Sequence, residues 1–286
     1  MSSAKLPKIT IVGEFQNGKS TLVNCLLGAK YAPTGHGCRT TSCCTHFLYG
    51  ETNATPRNIY GTTPSENYLE VTCNRPILKD AILVDTPGFD ANNDDDAAAK
   101  DAIRKSDIIV FVQGAQQLSE KSFQILQAIR DAGKRMLFLM NCKDLQNWSP
   151  KDKHNMEIAN NIEHDLFNHG IASSLISIQS KKVWPVNPIF ARYATGSLEK
   201  ERDSAQGITK QHANYLIKNI RILDKSKEQL YQESGIPEIR RVIEEAAIMP
   251  LKELCENMEQ ELQALTERWT SRLRKIISDS EELLKK

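Results

Sequence analysis

The amino-acid sequence predicts an α/β fold, a three-layer domain with a mostly parallel sheet between helices, followed by a long C-terminal amphipathic helix. Short apolar segments alternate with helical patterns from residue 8 to about residue 248, as expected when helices connect parallel strands. Apolar residues form 40% of the 286 residues and charged residues form 26%, which is typical of a globular protein. We therefore expect one large domain over residues 1–249 and a separate helix over residues 250–286.

Each element is predicted from a local pattern. Apolar segments predict strands at residues 8–12, 44–49, 68–73, 81–84, 108–112, 136–140 and 175–178, with residues 183–186 prolonging or following the last one. Helical patterns predict helices at residues 19–27, 97–105, 120–131 and 153–167, partial helix over residues 195–231, and a final helix ending near residue 248. The Gly- and Thr-rich residues 28–41 are expected to form a loop, and the polar residues 51–67 a surface insertion.

Residues 251–283 carry the pattern of one amphipathic helix. Their apolar residues recur in steps of three and four, at Leu251, Leu254, Met258, Leu262, Leu265, Trp269, Leu273, Ile276 and Leu283. A helix of about 33 residues would reach roughly 50 Å at 1.5 Å per residue. Because one small domain cannot cover that length, we expect the helix to pack against a partner helix or, less in keeping with its mixed charges, a membrane surface.

Charge and cysteine usage narrow the classes of partner and compartment. The formal net charge of +1 does not favour nucleic acid as a partner. Seven scattered cysteines and a start without an apolar signal region predict free thiols in a reducing, cytoplasmic compartment. The longest apolar runs are only a few residues, so no membrane-spanning segment is expected.

A phosphate-binding motif lies between the first predicted strand and helix. Residues 13–20, Gly-Glu-Phe-Gln-Asn-Gly-Lys-Ser, fit the pattern G-x-x-x-x-G-K-[ST]. In this pattern backbone N–H groups surround a phosphate chain, the lysine reaches the β- and γ-phosphates, and the serine hydroxyl holds Mg²⁺. The predicted nucleotide-binding residues of this loop are Gln16, Asn17, Gly18, Lys19, Ser20 and Thr21.

Two further segments complete the predicted phosphate and metal site. Asp85-Thr86-Pro87-Gly88 follows a buried strand at its carboxyl end, where α/β proteins bind ligands. Asp85 is expected to hold Mg²⁺ through water, and the Gly88 N–H to contact the γ-phosphate. Thr40 or Thr41, in the loop after the first helix, is expected to sense the γ-phosphate and Mg²⁺; the sequence leaves open which of them does so.

The base is predicted from the segment after the strand at residues 136–140. Asn141-Cys142-Lys143-Asp144 resembles the guanine motif N-K-x-D, in which the aspartate accepts hydrogen bonds from the guanine N1–H and 2-amino group. Adenine offers no such pair of donors, so GTP and GDP are the expected ligands, bound through Asn141, Lys143 and Asp144.

These motifs resemble those of the dynamin superfamily of large GTPases, especially the bacterial dynamin-like proteins. The resemblance covers about residues 6–250. Besides the motifs above, the residues that carry it are Phe15, residues 32–35, Arg39 and Val186-Asn187-Pro188. It implies a GTP-binding domain that dimerises across the nucleotide, hydrolyses GTP and moves a helical bundle against membranes. It also implies that Asn187 frames the base and that catalysis uses Lys19, Gln16, Thr40 and Thr41.

Two departures from that resemblance leave a second function open. Cys142 stands where the guanine motif has lysine, and Phe89 stands where Ras-like switches keep a water-positioning glutamine. The first hypothesis is a Mg²⁺-dependent GTPase acting as a nucleotide-dependent homodimer or with a helical partner chain, with peripheral membrane contact and no nucleic acid. The alternative is a GTP-binding interaction module with little hydrolysis. A switch acting on ribosomal RNA is a third hypothesis, which the near-neutral charge disfavours.

Overall fold

The computed structural model describes residues 6–32, 43–63, 66–89, 93–142, 152–178 and 181–246, together with scattered positions between residues 263 and 274. The chain divides into two compact units, Met1–Glu244 and Glu245–Lys286. In the second unit the described positions are helical. The predicted amphipathic helix over residues 251–283 otherwise lies outside the described residues.

The first unit contains an eight-stranded sheet, counted over the residues that the structure describes. The strands are β1 Lys8–Val12, β2 Cys44–Tyr49, β3 Arg57–Ile59, β4 Tyr68–Cys73, β5 Ile82–Asp85, β6 Ile108–Gly114, β7 Arg135–Asn141 and β8 Val183–Val186. Their order across the sheet is β3-β4-β2-β5-β1-β6-β7-β8. β5, β1, β6, β7 and β8 are parallel, whereas β2 is antiparallel to β5 and β3 is antiparallel to β4. The prediction of a mostly parallel sheet is confirmed.

The helices of this unit are α1 Lys19–Leu27, α2 Asn93–Arg104, α3 Glu120–Asp131, α4 Lys153–Asn168, α5 Pro188–Ala194, α6 Ser197–Ser204, α7 Gly207–Ile222 and α8 Lys227–Glu233. Residues 236–246 are also helical. Short 3₁₀ turns occur at Pro76–Leu78 and Ala172–Ser174. The α/β class expected from the sequence is therefore the class observed.

The core lies on the central strands, which are covered on both faces. Every residue of β6 is buried, and because successive side chains of a strand point to opposite faces, both faces are shielded from water. One cluster joins β6 and β7 to α3 and α4, with Phe111 and Phe138 stacked at a centroid distance of 5.3 Å. Fully burying a side chain of this size contributes about 1.5–3 kcal/mol. This packing holds the strand ends in place.

The edges of the sheet differ from the prediction in two places. Residues 175–178 form isolated bridges, with Leu175 opposite Met136, and β8 takes the position beside β7 instead. β7 has one edge available, and residues 138–141 pair there with residues 183–186. In the polar stretch expected to be a surface insertion, residues 57–59 form β3 beside β4, because an edge strand needs no apolar face. An Arg57–Glu70 ion pair at 2.6 Å joins β3 to β4.

The helix α2 begins earlier than expected. It starts at Asn93, four residues before the predicted start at residue 97. The acidic residues 94–96, expected to be loop-like, therefore belong to its first turn.

Candidate nucleotide-binding site

The site lies where the parallel strands end. β1 ends at Val12, β5 at Asp85 and β7 at Asn141, and because these strands are parallel their carboxyl ends meet at one edge of the sheet. The phosphate loop over residues 13–18 joins β1 to α1 across this edge. Gly18 has φ +90°, and a Cβ there would lie 2.3 Å from Asn141 Nδ2, so the position requires glycine.

Lys19 is the first residue of α1 and is held inside the loop. Its side chain is only 6% exposed, and its Nζ donates a hydrogen bond to the Glu14 carbonyl oxygen at 2.9 Å. Burial lowers the pKa of Lys19 to about 8, although Asp85 and Glu14 act in the opposite direction. The buried ammonium can exchange this carbonyl oxygen for a phosphate oxygen.

Ser20 and Asp85 provide oxygen ligands suited to a divalent cation. Ser20 Oγ donates to Asp85 Oδ2 at 2.7 Å. Asp85 Oδ1 is buried and has no hydrogen-bond partner among the residues that the structure describes. Burial raises the pKa of Asp85 to about 6, even though Ser20 and Lys19 lower it. An unsatisfied carboxylate oxygen beside a hydroxyl is the donor set that Mg²⁺ prefers, so these residues fit the metal.

The segment after Asp85 packs directly on the phosphate loop. The Phe15 N–H donates to the Phe89 carbonyl oxygen at 3.1 Å, and the Phe89 N–H donates to the Gly13 carbonyl oxygen at 3.3 Å. A Cβ on Gly88 would lie 2.7 Å from Phe15 Cα and 3.1 Å from Lys19 Nζ, so glycine is needed for this approach. The Phe89 side chain is fully buried. The position after Gly88 therefore contributes to the core and offers no polar group to the site.

The base end of the site is described in part. Asn141 Nδ2 donates to the Asn17 carbonyl oxygen at 2.9 Å, which ties the guanine motif to the phosphate loop, and its buried Oδ1 has no partner within the described part of the chain. Cys142 is fully buried in the core, and burial raises the pKa of its thiol to about 12. Its side chain therefore points into the core and does not take the place of the motif's lysine, whose aliphatic stem lies along the base. Lys143 and Asp144 lie outside the described residues.

Asn187 lies beside this end of the site and caps a helix. Its Oδ1 accepts hydrogen bonds from the N–H groups of Ile189 and Phe190 at 3.0 and 3.2 Å, which starts α5. The neighbouring Val186 carbonyl oxygen accepts from the Cys142 N–H at 2.8 Å. Asn187 thus fixes the start of α5, whereas Val186 joins β8 to the guanine motif, and the framing of the base by Asn187 stays a prediction.

The predicted residues are brought together only in part. Lys19, Ser20, Asp85 and Gly88 converge on the phosphate loop, and Asn141 joins it from β7. Gln16 is exposed at the mouth of the loop, with a left-handed φ of 62°, and Thr21 follows in α1. Thr40 and Thr41, predicted as metal and catalytic residues, lie outside the described residues.

Sequence reasoning missed Asn24 and Glu14, two polar residues that organise the site. Asn24 Oδ1 accepts hydrogen bonds from the N–H groups of Tyr31 and Ala32, and its Nδ2 donates to the Ala32 carbonyl oxygen, each at 2.8 Å. It anchors the chain as it leaves α1. Glu14 contacts the start of α3, where Ser119 caps the helix. The serine followed by Glu120 signals a cap, but the sequence carries no sign that the cap binds Glu14.

Comparison with known proteins agrees with this geometry. Residues 8–142 match the family described as 50S ribosome-binding GTPases. The probable transmembrane GTPase FZO-like, chloroplastic, of Arabidopsis thaliana is 32% identical over 139 residues, which cover 48% of this chain and 15% of that protein. Both matches are to GTPases, and the family match spans the phosphate loop, Asp85 and Asn141. These matches support a guanine nucleotide as the ligand of the phosphate loop.

Two further proteins match this chain at lower identity. One solved structure is of an oligomerised bacterial dynamin pair, described in connection with long-range sensing and tethering of membranes. The match covers 96% of this chain and 46% of that chain, with a TM-score of 0.52 and 14% identity. An uncharacterised protein in the xynA 3′ region of Caldicellulosiruptor sp. (strain Rt8B.4) is 29% identical over 164 residues, covering 48% of this chain and 40% of its own. The chain spans less than half the length of each of these proteins. In the part of the chain that the structure describes, no helix is both long and apolar enough to cross a membrane.

Proposed function

We propose that this protein is a dynamin-like GTPase that binds GTP with Mg²⁺, hydrolyses it as a nucleotide-dependent dimer, and couples dimerisation to movement of a helical stalk in membrane remodelling. The GTPase domain would comprise residues 1–249 and the stalk residues 250–286. The observation that carries the catalytic part is the Ser20–Asp85 pair beside Lys19, in which one buried carboxylate oxygen of Asp85 has no hydrogen-bond partner among the described residues. The likeness to a dynamin pair supports the oligomeric part.

Each residue of the site has a role in this proposal. Lys19 would leave the Glu14 carbonyl and neutralise the β- and γ-phosphates, and the Gly88 N–H would bind the γ-phosphate. Ser20 and Thr40 or Thr41 would bind the metal directly and Asp85 through water. Mg²⁺, when bound, would supply the positive charge that stabilises the leaving phosphate.

Recognition of the base would rest on the β7 and β8 ends of the site. Asp144 would accept hydrogen bonds from guanine, with Lys143 beside it. Asn141 would hold the base end against the phosphate loop through its bond to Asn17. Asn187, fixed by its contacts with α5, would frame the base.

A second copy of the chain would complete catalysis in this proposal. Phe89 offers no polar group, which leaves Gln16 and Thr40 or Thr41 as the groups available to position water. Gln16 and Phe15 are both exposed at the mouth of the loop, and Phe15 retains 37% of its exposure. An exposed aromatic side chain next to the nucleotide favours burial by another protein surface.

Single-turnover GTP hydrolysis at increasing protein concentration tests this proposal, with oligomeric state measured without nucleotide, with GDP and with a transition-state mimic. We expect the rate per chain to rise with concentration, a dimer with the mimic, and no hydrolysis after chelation of Mg²⁺. Phe15→Ala should abolish the concentration dependence, whereas Phe167→Ala should not. Phe167 is 72% exposed near the end of α4, which runs back to the opposite edge of the sheet, so it is a matched control.

The alternative function is a GTP-binding interaction module, which the burial of Phe89 specifically favours. A near-zero rate that stays flat with concentration, in a chain that binds GTP, would support this alternative and contradict the first proposal. Loss of GTP binding in Lys19→Ala is expected under both functions.

Co-sedimentation with lipid vesicles tests the membrane role and a cytoplasmic, membrane-peripheral location. Co-sedimentation with ribosomes tests the expected absence of a nucleic-acid partner.

A further inference from the structure

Glu14, the second residue of the phosphate loop, is bound to the start of a helix more than a hundred residues away. Its Oε1 accepts hydrogen bonds from the hydroxyl groups of Ser119 and Ser122, the latter at 2.7 Å. Ser119 also caps α3 by accepting from the Ser122 N–H at 3.0 Å. Ser122 is fully buried. The Glu14 carboxylate is therefore integrated into the helix cap.

The same turn of α3 also contacts β6 and α2. Gln113, at the end of β6, lies between the loop and the turn, with its Oε1 3.5 Å from Asn17 Nδ2 and 3.3 Å from Ser122 Oγ. Lys121 Nζ lies 2.9 Å from Asp96 Oδ2 in α2. The first turn of α3 is thus fixed from several sides and provides a rigid support for Glu14.

A carboxylate at this position does not serve as a phosphate ligand. Its negative charge would repel the phosphates, and repulsion between like charges is strong where water is excluded. The amino end of a helix, in contrast, stabilises negative charge through its dipole and its N–H groups. The carboxylate therefore belongs to α3, and what it provides to the loop is a fixed position.

That position matters because the Glu14 backbone holds other parts of the loop. Its carbonyl oxygen accepts from Lys19 Nζ at 2.9 Å and from the Asn17 N–H at 3.4 Å. A displacement of Glu14 would move the acceptor that holds Lys19 and alter the turn over residues 14–17. Both are parts of the loop that must meet the phosphates.

We propose that Glu14 is a positioning residue for nucleotide binding, held by Ser119 and Ser122 so that the phosphate loop is preformed before the nucleotide enters. The contacts of its side chain act as a hydrogen-bonded anchor, and its charge is not required by the nucleotide. This inference rests on the proposed function only in taking a guanine nucleotide as the ligand.

The test is the release rate of a fluorescent GDP analogue from the full chain, with KM and kcat for GTP measured in parallel. Glu14→Ala removes the acceptor and is expected to speed release about tenfold, the equivalent of one or two hydrogen bonds. KM should rise by a similar factor while kcat changes little, because the loss affects binding of substrate and transition state alike. Glu14→Gln keeps an acceptor oxygen and removes the charge, so it should release GDP at the native rate or more slowly.

A matched pair of cap variants separates the anchor from general stability. Ser119→Ala removes both a helix cap and a donor to Glu14, whereas Ser226→Ala removes only the cap of α8, which lies in another part of the unit. Both should lower the melting temperature, but only Ser119→Ala should speed GDP release. This pair carries the test if Glu14→Ala fails to fold.

The outcomes are distinct. Equal release rates for Glu14→Ala and Glu14→Gln, whether native or fast, would overturn the proposal, as would equal rates for Ser119→Ala and Ser226→Ala. If the unmodified chain failed to bind GDP at all, the proposed function would fail together with this inference. Binding by the unmodified chain with no effect of these substitutions would refute the inference and leave the function standing.

Discussion

Replacing Gly88 by alanine should push the phosphate loop away from the segment that follows Asp85. The added Cβ would lie 2.7 Å from Phe15 Cα, 2.9 Å from Phe15 N and 3.1 Å from Lys19 Nζ. Two of these atoms belong to the backbone, so no side-chain rotation relieves the clash. Because carbon atoms pack at about 3.5–4.0 Å, the loop and the segment after Asp85 would have to move apart by about 1 Å.

The magnitude follows from the hydrogen bonds that such a movement breaks. The Phe15 and Phe89 N–H bonds measure 3.1 and 3.3 Å, and a further 1 Å or so would take both beyond hydrogen-bonding distance. At about 0.5–1.5 kcal/mol each, their loss amounts to about 1–3 kcal/mol. If this cost falls on the nucleotide-binding conformation, affinity for GDP should fall about 5- to 150-fold.

The assay is titration with a fluorescent GDP analogue, with thermal unfolding to verify that the variant is folded. Gly114→Ala is the matched control, because it adds the same methyl group near the loop but its Cβ meets no atom closer than 3.4 Å, the Asn17 Oδ1. We expect near-native affinity for the control. A folded Gly88→Ala protein that binds GDP as tightly as the unmodified chain would show that the close approach of Gly88 does not shape the site.

Two further predictions concern charge and anchoring. The pKa of Lys19 is about 8 without nucleotide, and bound phosphates would raise it, so binding takes up a proton at high pH. GDP affinity should be constant below about pH 7 and fall up to about tenfold per unit above pH 8; an affinity unchanged to about pH 9.5 would contradict this. Asn24→Ala leaves the N–H groups of residues 31 and 32 unpaired, so denaturant titration should show the free energy of unfolding lowered by about 1–3 kcal/mol. A loss below about 0.5 kcal/mol would mean that water replaces those bonds.

Much of the fold could be predicted because the central elements carry their information locally. β1, the phosphate loop and α1 form one uninterrupted segment whose apolar run, glycines and helical pattern all agree. α1, β2 and α3 were predicted with the bounds that the structure shows. Strands that are buried on both faces are apolar throughout, and this signal does not depend on their neighbours.

The sheet edges could not be predicted in this way. Residues 175–178 and 183–186 are both apolar, and which of them pairs with β7 depends on their competition for one edge. β3 is polar and only three residues long, so its existence depends on the hydrogen bonds that β4 offers. In both cases the strand is determined by its pairing with another strand, and no local pattern in the sequence indicates that pairing.

In the candidate site too, the contiguous motifs could be predicted and the contacts between remote residues could not. The sequence by itself determined the contiguous motifs, Lys19 with Ser20 and Asp85 with Gly88, because the chemistry of phosphate and metal binding requires those residue types at that spacing. The tertiary structure alone decided that Asn141 binds the phosphate loop across 124 positions and that Glu14 binds α3 across 105. It also decided that Cys142 and Phe89 face the core. The physical reason is the strand order, which brings distant loops to one edge of the sheet, where hydrogen bonds and packing join residues that no local pattern connects.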